Sequence, residues 1–71
     1  MTIKEAKIQE RYKIISIDTK DEELNSFLLT LGCYPNETIT VVSHISNNYT
    51  IAIKDARYSI DGNLAQAIVI A

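Results

Sequence analysis

Residues 37–54 read Glu37-Thr38-Ile39-Thr40-Val41-Val42-Ser43-His44-Ile45-Ser46-Asn47-Asn48-Tyr49-Thr50-Ile51-Ala52-Ile53-Lys54, and this stretch decides the fold. Ile39, Val41 and Ile45 alternate with Thr38, Thr40 and His44; Tyr49, Ile51 and Ile53 alternate with Thr50, Ala52 and Lys54. A period of two sends every second side chain to the same face of a strand. β-Branched residues pack well on a pleated surface and lose rotamer freedom in a helix. Ser46-Asn47-Asn48 supplies the turn formers between the two runs, so the stretch predicts a β-hairpin with one face against a core.

Downstream, a tight turn around Lys54-Asp55-Ala56 leads to a third run, Arg57-Tyr58-Ser59-Ile60. Asp61-Gly62-Asn63 breaks it, with Asp61 placed to cap a single helical turn through Leu64 and Ala65. Ala67-Ile68-Val69-Ile70 is a closing strand. Upstream, Pro35-Asn36 suits a turn, because proline presets its own φ and asparagine tolerates the left-handed region.

Before that turn lies the one helix. Leu24, Phe27, Leu28 and Leu31 recur at i, i+3, i+4 and i+7, giving a single apolar stripe. Thr19 and Glu22 have the spacing of a capping box, and Asp21, Glu22 and Glu23 put negative charge at the positive end of the helix dipole. Gly32 is placed as the left-handed stop. The pattern predicts a helix over residues 20–31. A further strand, residues 12–18, precedes it, with Ile15 and Ile17 facing the core and Ile14 the other side.

The sum is mainly β: about five short strands with one α-helix inserted after the first, a single domain over residues 1–71. Sheets this small tend to close on themselves and so hide their edges. An SH3-like, partly open barrel fits the strand lengths. A chain of 71 residues has to build its core from packed aliphatics, because one cysteine closes no internal disulfide and no Cys/His cluster has metal-ligand spacing.

Charge narrows the partners. Seven basic residues lie scattered among nine acidic ones, for a net charge of −2, which argues against phosphate-backbone contacts and nucleic acid. No apolar run approaches the roughly 20 residues that span a bilayer, so no direct membrane insertion is expected. Met1-Thr2-Ile3-Lys4-Glu5-Ala6-Lys7 lacks the apolar stretch of a secretion signal, and a free thiol suits a reducing cytoplasm.

Several side chains invite chemical readings. Cys33, just past the helix, reads as a small buried hydrophobe and His44 as a solvated surface residue. Asp18, Asp21, Glu22 and Glu23 splay around a helix start instead of converging, so no metal site is expected. Ser43 beside His44 is no catalytic pair, since neighbours on a strand point to opposite faces. With no glycine-rich loop and one histidine, the chain reads as a non-enzyme that needs no cofactor. The tyrosines carry more weight. Tyr34 beside Pro35 and Asn36 in a turn, Tyr49 at a hairpin and Tyr58 on a late strand are the residue types that line shallow peptide-binding surfaces. These five are the candidate partner-binding residues, with Tyr34 the preferred contact.

The order of elements resembles the ferrous iron transport protein A (FeoA) family. The opening residues 1–7, Tyr12 and Ile15-Ser16-Ile17 are similar to that family's first segment. Leu28-Leu29-Thr30-Leu31-Gly32-Cys33-Tyr34-Pro35-Asn36-Glu37 resembles its helix end, Leu-Gly step and proline turn. Arg57-Tyr58-Ser59-Ile60, Leu64-Ala65 and Ile68-Val69-Ile70 resemble its closing strands. The chain departs from the pattern at Asn36, at Asp55 and near Gln9, where the family has glycine, and at Asn25-Ser26-Phe27, where it often has arginines. The resemblance implies a cytoplasmic adaptor or regulator that binds the cytoplasmic part of a FeoB-type iron transporter, and so sits at the inner face of the membrane through its partner. The alternative it implies is an SH3-like accessory domain of a metal-dependent transcriptional regulator of the diphtheria toxin repressor type. The lack of an upstream DNA-binding domain favours the free-standing version, and residual open sheet edges make a homodimer a natural expectation.

Overall fold

A computed structural model describes residues 1–71. Five antiparallel strands form one sheet: β1 (Arg11–Ile17), β2 (Thr38–Ile45), β3 (Asn48–Ile53), β4 (Ala56–Asp61) and β5 (Ile68–Ile70). Their order is β4-β3-β2-β1-β5, so a strand from the start of the chain joins the hairpin unit to the last strand. Helix α1 (Glu22–Leu31) follows β1, and the short α2 (Gly62–Ala67) links β4 to β5. β4 and β5 do not pair with each other, and α2 packs across the interval, which leaves the barrel partly open.

The core is almost wholly aliphatic. Ile14, Ile39, Val41, Ile51, Ile53, Ile60, Ile68 and Ile70 come from all five strands, joined by Leu28 of α1, Cys33 and Ile3. No charged or polar side chain is buried. Ile3 belongs to a 3₁₀ turn (Ile3–Glu5) that the sequence pattern does not announce. There the capping box is Thr2 with Glu5: Thr2 N–H and hydroxyl donate to Glu5 Oε1 at 2.6 and 2.8 Å. These two bonds favour the charged carboxylate and hold the Glu5 carboxyl below its usual range.

Three sequence expectations are corrected, two of them by the strand register. In β1, Ile14 is fully buried and Ile15 is half exposed, the reverse of a simple alternation. Ile14 pairs with Ile70 but Ser16 with Val69, so Ile15 is an extra residue extruded as a β-bulge. Ile17 recovers contact with the core beyond it. In β2 the same thing happens at Val42: Val41 pairs with Ile51 and Ser43 with Thr50. Past that bulge Ile45 turns outward and is 74% exposed. The third correction concerns α1. Its N-cap is Asp21, whose Oδ1 accepts from Glu23 and Leu24 N–H at 3.0 and 3.2 Å. Thr19 only ties the preceding loop, accepting from Asp21 N–H at 3.1 Å.

Elsewhere the turn chemistry holds. Gly32 ends α1 at φ 104°, Asn36 sits at φ 73°, and Asp61 Oδ1 caps α2 by accepting from Leu64 N–H at 3.0 Å. Two of the positions expected to favour glycine do require positive φ: Asn36, and Gln9 at 69°. In the β3–β4 turn the positive φ, 56°, falls on Lys54 instead of Asp55.

Candidate partner-binding surface

The turn after α1 is built by backbone bonds on every side. Gly32 swings the chain out of the helix, and Cys33 anchors it, fully buried, with its N–H on the Leu28 carbonyl. Tyr34 N–H donates to Gly32 O at 2.8 Å, and Glu37 N–H returns to Tyr34 O at 3.1 Å. Asn36, in its left-handed conformation, donates its N–H to Ile14 O at 2.8 Å, while Ile14 N–H donates to Glu37 O at 2.9 Å. Lys13 Nζ donates to Asn36 O at 3.2 Å. The turn is therefore sewn onto β1.

On this fixed base Tyr34, Pro35 and Asn36 face solvent, with Tyr34 50% exposed. A backbone already fixed by hydrogen bonds loses little further main-chain entropy on binding, which suits a docking point. A depression of about 240 Å³ opens next to it, lined by Arg11, Tyr12, Lys13, Thr38 and Ala71. Tyr12 is held there by its hydroxyl, which accepts from Lys7 N–H at 2.9 Å and donates to Glu10 Oε2 at 3.2 Å. Arg11 and Lys13 occupy alternate positions of β1, pair with Thr40 and Thr38 of β2, and are exposed. Sequence reading did not single out this groove, because it arises only when β1 is placed beside β2.

The other two tyrosines lie elsewhere. Tyr49 is 4% exposed and part of the core, so its ring is withdrawn from any partner in this conformation. The β2 bulge sets His44 opposite it, and the two rings stack with centroids 3.9 Å apart and planes 13° apart. His44 remains exposed and donates from Nε2 to Ser46 O at 2.7 Å. Tyr58 is half-buried on the inner face of β4, opposite Ile51. Of the five candidate residues, only Tyr34, Pro35 and Asn36 come together as one surface.

The titratable groups give no reactive centre. Burial pushes the Cys33 thiol up to about 11, so at neutral pH it is a protonated packing group. No three side chains among histidine, cysteine, aspartate and glutamate are grouped to hold a metal ion. No helix is long and apolar enough to cross a membrane.

A family model, the FeoA domain, matches residues 1–71. Comparison with curated proteins gives no match. Among solved structures, the chain superposes on Stenotrophomonas maltophilia FeoA complexed with zinc, a prokaryotic SH3 domain protein, with TM-score 0.91 at 16% identity, covering 100% of this chain and 89% of that one. FeoA from Chlorobium tepidum gives TM-score 0.88 at 17% identity, covering 99% and 68%. The metal-dependent transcriptional regulator MtsR gives TM-score 0.77 at 22% identity, where the fold spans 99% of this chain and only 35% of the other. At these identities the superpositions establish the SH3-like fold and nothing finer.

Proposed function

Because the chain belongs to the FeoA family, whose model it matches from residue 1 to residue 71, we propose that it is a non-catalytic adaptor of ferrous iron uptake that docks on the cytoplasmic part of a FeoB-type transporter. The observation that carries this reading is the turn Tyr34-Pro35-Asn36, exposed yet pinned to β1 by backbone bonds on both flanks. A protein without catalytic groups changes another's activity only by binding two of its states unequally. The pinned turn provides such a contact at small entropic cost, and the groove beside it, with Arg11 and Lys13, extends the contact area.

Tyr34→Ala tests the reading. The side chain is solvated and makes no hydrogen bond, so the melting temperature should stay within about 4 °C, the range of a surface substitution. Capture of the transporter from a native membrane fraction should fall at least about tenfold. Undiminished capture by a folded Tyr34→Ala chain would overturn the assignment of the turn. Failure of the wild-type chain to capture the transporter would overturn the adaptor role itself.

A second reading rests on the superposition with MtsR, in which the same fold forms about a third of a longer regulator. In that case the chain serves as an accessory domain in metal-dependent regulation. A transporter gene adjacent to this one favours the first reading, and a DNA-binding regulator as the captured partner favours the second.

A further inference from the structure

The sheet has two edges, and the chain treats them differently. Along β5, Ile70 N–H donates to Met1 O at 2.8 Å and Thr2 bridges Val69, so the N-terminal segment covers that edge. Along β4, α2 packs against the strand but no backbone hydrogen bond from outside the sheet reaches it. The register fixes which groups are left over. Ile53 and Ala56 flank the two-residue loop Lys54-Asp55 and therefore form a hydrogen-bonded pair. Counting on, Tyr58 and Ile60 also exchange their backbone bonds with β3, while the backbone groups of Arg57 and Ser59 and the N–H of Asp61 point away from the sheet. Their side chains stand exposed on its solvent face.

From this pattern we infer that β4 is the strand through which a second copy of this chain extends the sheet, antiparallel across a two-fold axis at Ser59. Charge selects that register. With the axis at Ser59, Arg57 lies opposite Asp61 of the second copy on both sides, and unlike charges meet. Moving the axis to Tyr58 sets Arg57 opposite Ser59, losing both ion pairs, and brings Asp61 towards the turn residue Asp55; moving it to Arg57 sets two arginines face to face. Like charges directly opposite oppose pairing. Arg57 is free to take the new partner, since the chain's one ion pair joins Lys54 to Glu37 at 3.6 Å.

The same register pairs the edge backbone except the solvent-facing Arg57 N–H, and it suits the inner face. Ser59 exchanges two hydrogen bonds with its own copy. Each Asp61 N–H reaches an Arg57 carbonyl, while Asp61, as the N-cap of α2, turns its own carbonyl into the helix. On the inner side, Tyr58 meets Ile60 of the second copy in a non-hydrogen-bonded pair, the closest cross-strand spacing. The β4 edge carries no proline, bulge or lysine of the kind that usually blocks such pairing. Tyr34-Pro35-Asn36 bonds to β1, three strands away in the sheet order, so self-pairing leaves the docking turn free.

The test uses the full chain. Sedimentation velocity over a concentration series should show a reversible monomer–dimer equilibrium, and Arg57→Asp should weaken it about tenfold by turning two attractive pairs repulsive. Ser59→Cys places two thiols about 5.5 Å apart between Cα atoms, within disulfide range, so mild oxidation should give a covalent dimer. Thr50→Cys, one strand further in, should give none, and adding Arg57→Asp to Ser59→Cys should suppress the cross-link. The native Cys33 is buried and does not compete. A chain that stays monomeric at every concentration, a dimer indifferent to Arg57→Asp, or equal cross-linking through Ser59→Cys and Thr50→Cys would each overturn the inference.

Discussion

In the six-residue strand β3, Tyr49, Ile51 and Ile53 are all buried, whereas the ten-residue helix α1 buries only Leu28 completely. Leu24 and Leu31 reach the core in part, and Phe27 stays 47% exposed although it belongs to the same apolar stripe. The cause is geometric. β3 has a strand on either side and the barrel interior beneath it, so its inner side chains are enclosed in every direction. α1 rests on the barrel along a single line, and only the residue at the centre of that line is enclosed. The sheet supplies most of the core, while the helix and the turn after it leave Phe27 and Tyr34 about half exposed.

The largest expected effect follows from that contrast. Ile51→Ala removes a fully buried side chain packed between β2 and β4, and should cost about 2–5 kcal/mol in denaturant unfolding. A domain of 71 residues has only about 4–11 kcal/mol in total, so this variant approaches the limit of folding. Phe27→Ala should cost under about 0.5 kcal/mol despite removing a larger side chain. Equal losses from the two substitutions would show that α1 is part of the same cooperative core and would break the comparison.

An intermediate effect is expected where the helix hands over to the turn. Gly32→Ala adds a Cβ that would meet Ile53 Cγ2 at 3.5 Å, an ordinary contact, so packing does not forbid it. The φ of 104° does oppose it, because an L side chain there approaches its own backbone. Thermal unfolding should report a loss of about 1–2 kcal/mol, with Gly32→Asn losing less because asparagine visits that region more readily. A neutral Gly32→Ala would mean that the turn yields easily and that the pinning of Tyr34 is weak.

The same contrast explains what was readable in the sequence. Strand and turn chemistry was legible because it is local: the alternation in β3, the turn at Pro35-Asn36 and the Asp61 cap each depend on neighbours in the chain. The inward and outward faces of β1 and β2 were not, because each bulge is set by both ends of a pairing at once. In β2, the run from Ile39 to Ile45 has one residue more than its partner run from Asn48 to Ile53, and the tight turn at Ser46-Asn47 closes one end, so Val42 has to be extruded. That single step turned Ile45 outward and set His44 opposite Tyr49, which lies in the core beside Ile51 and Ile53 as the alternation implies. Of the candidate surface, Tyr34, Pro35 and Asn36 were named from the sequence, but Arg11, Lys13 and Thr38 become neighbours only through the β1–β2 pairing.

The helix start gives the smallest effect and the sharpest test. Thr19 and Asp21 both present an oxygen near the first turn of α1, and the spacing of Thr19 to Glu22 suggests the wrong one. Only Asp21 accepts from helical N–H groups, those of Glu23 and Leu24. Asp21→Ala should therefore cost about 1 kcal/mol, and Asp21→Asn almost nothing, since asparagine caps equally well. Thr19→Ala should lose only a few tenths, because its hydroxyl stabilises a loop amide that water can also satisfy. Because α1 buries only one residue completely, the loss should appear first as local fraying: the Glu23 and Leu24 amides should exchange with solvent faster in Asp21→Ala while those of β3 keep their protection. If β3 amides lose protection in step with α1, the helix and the sheet open as one unit, and the separation between a stabilising sheet and a surface-bearing helix fails.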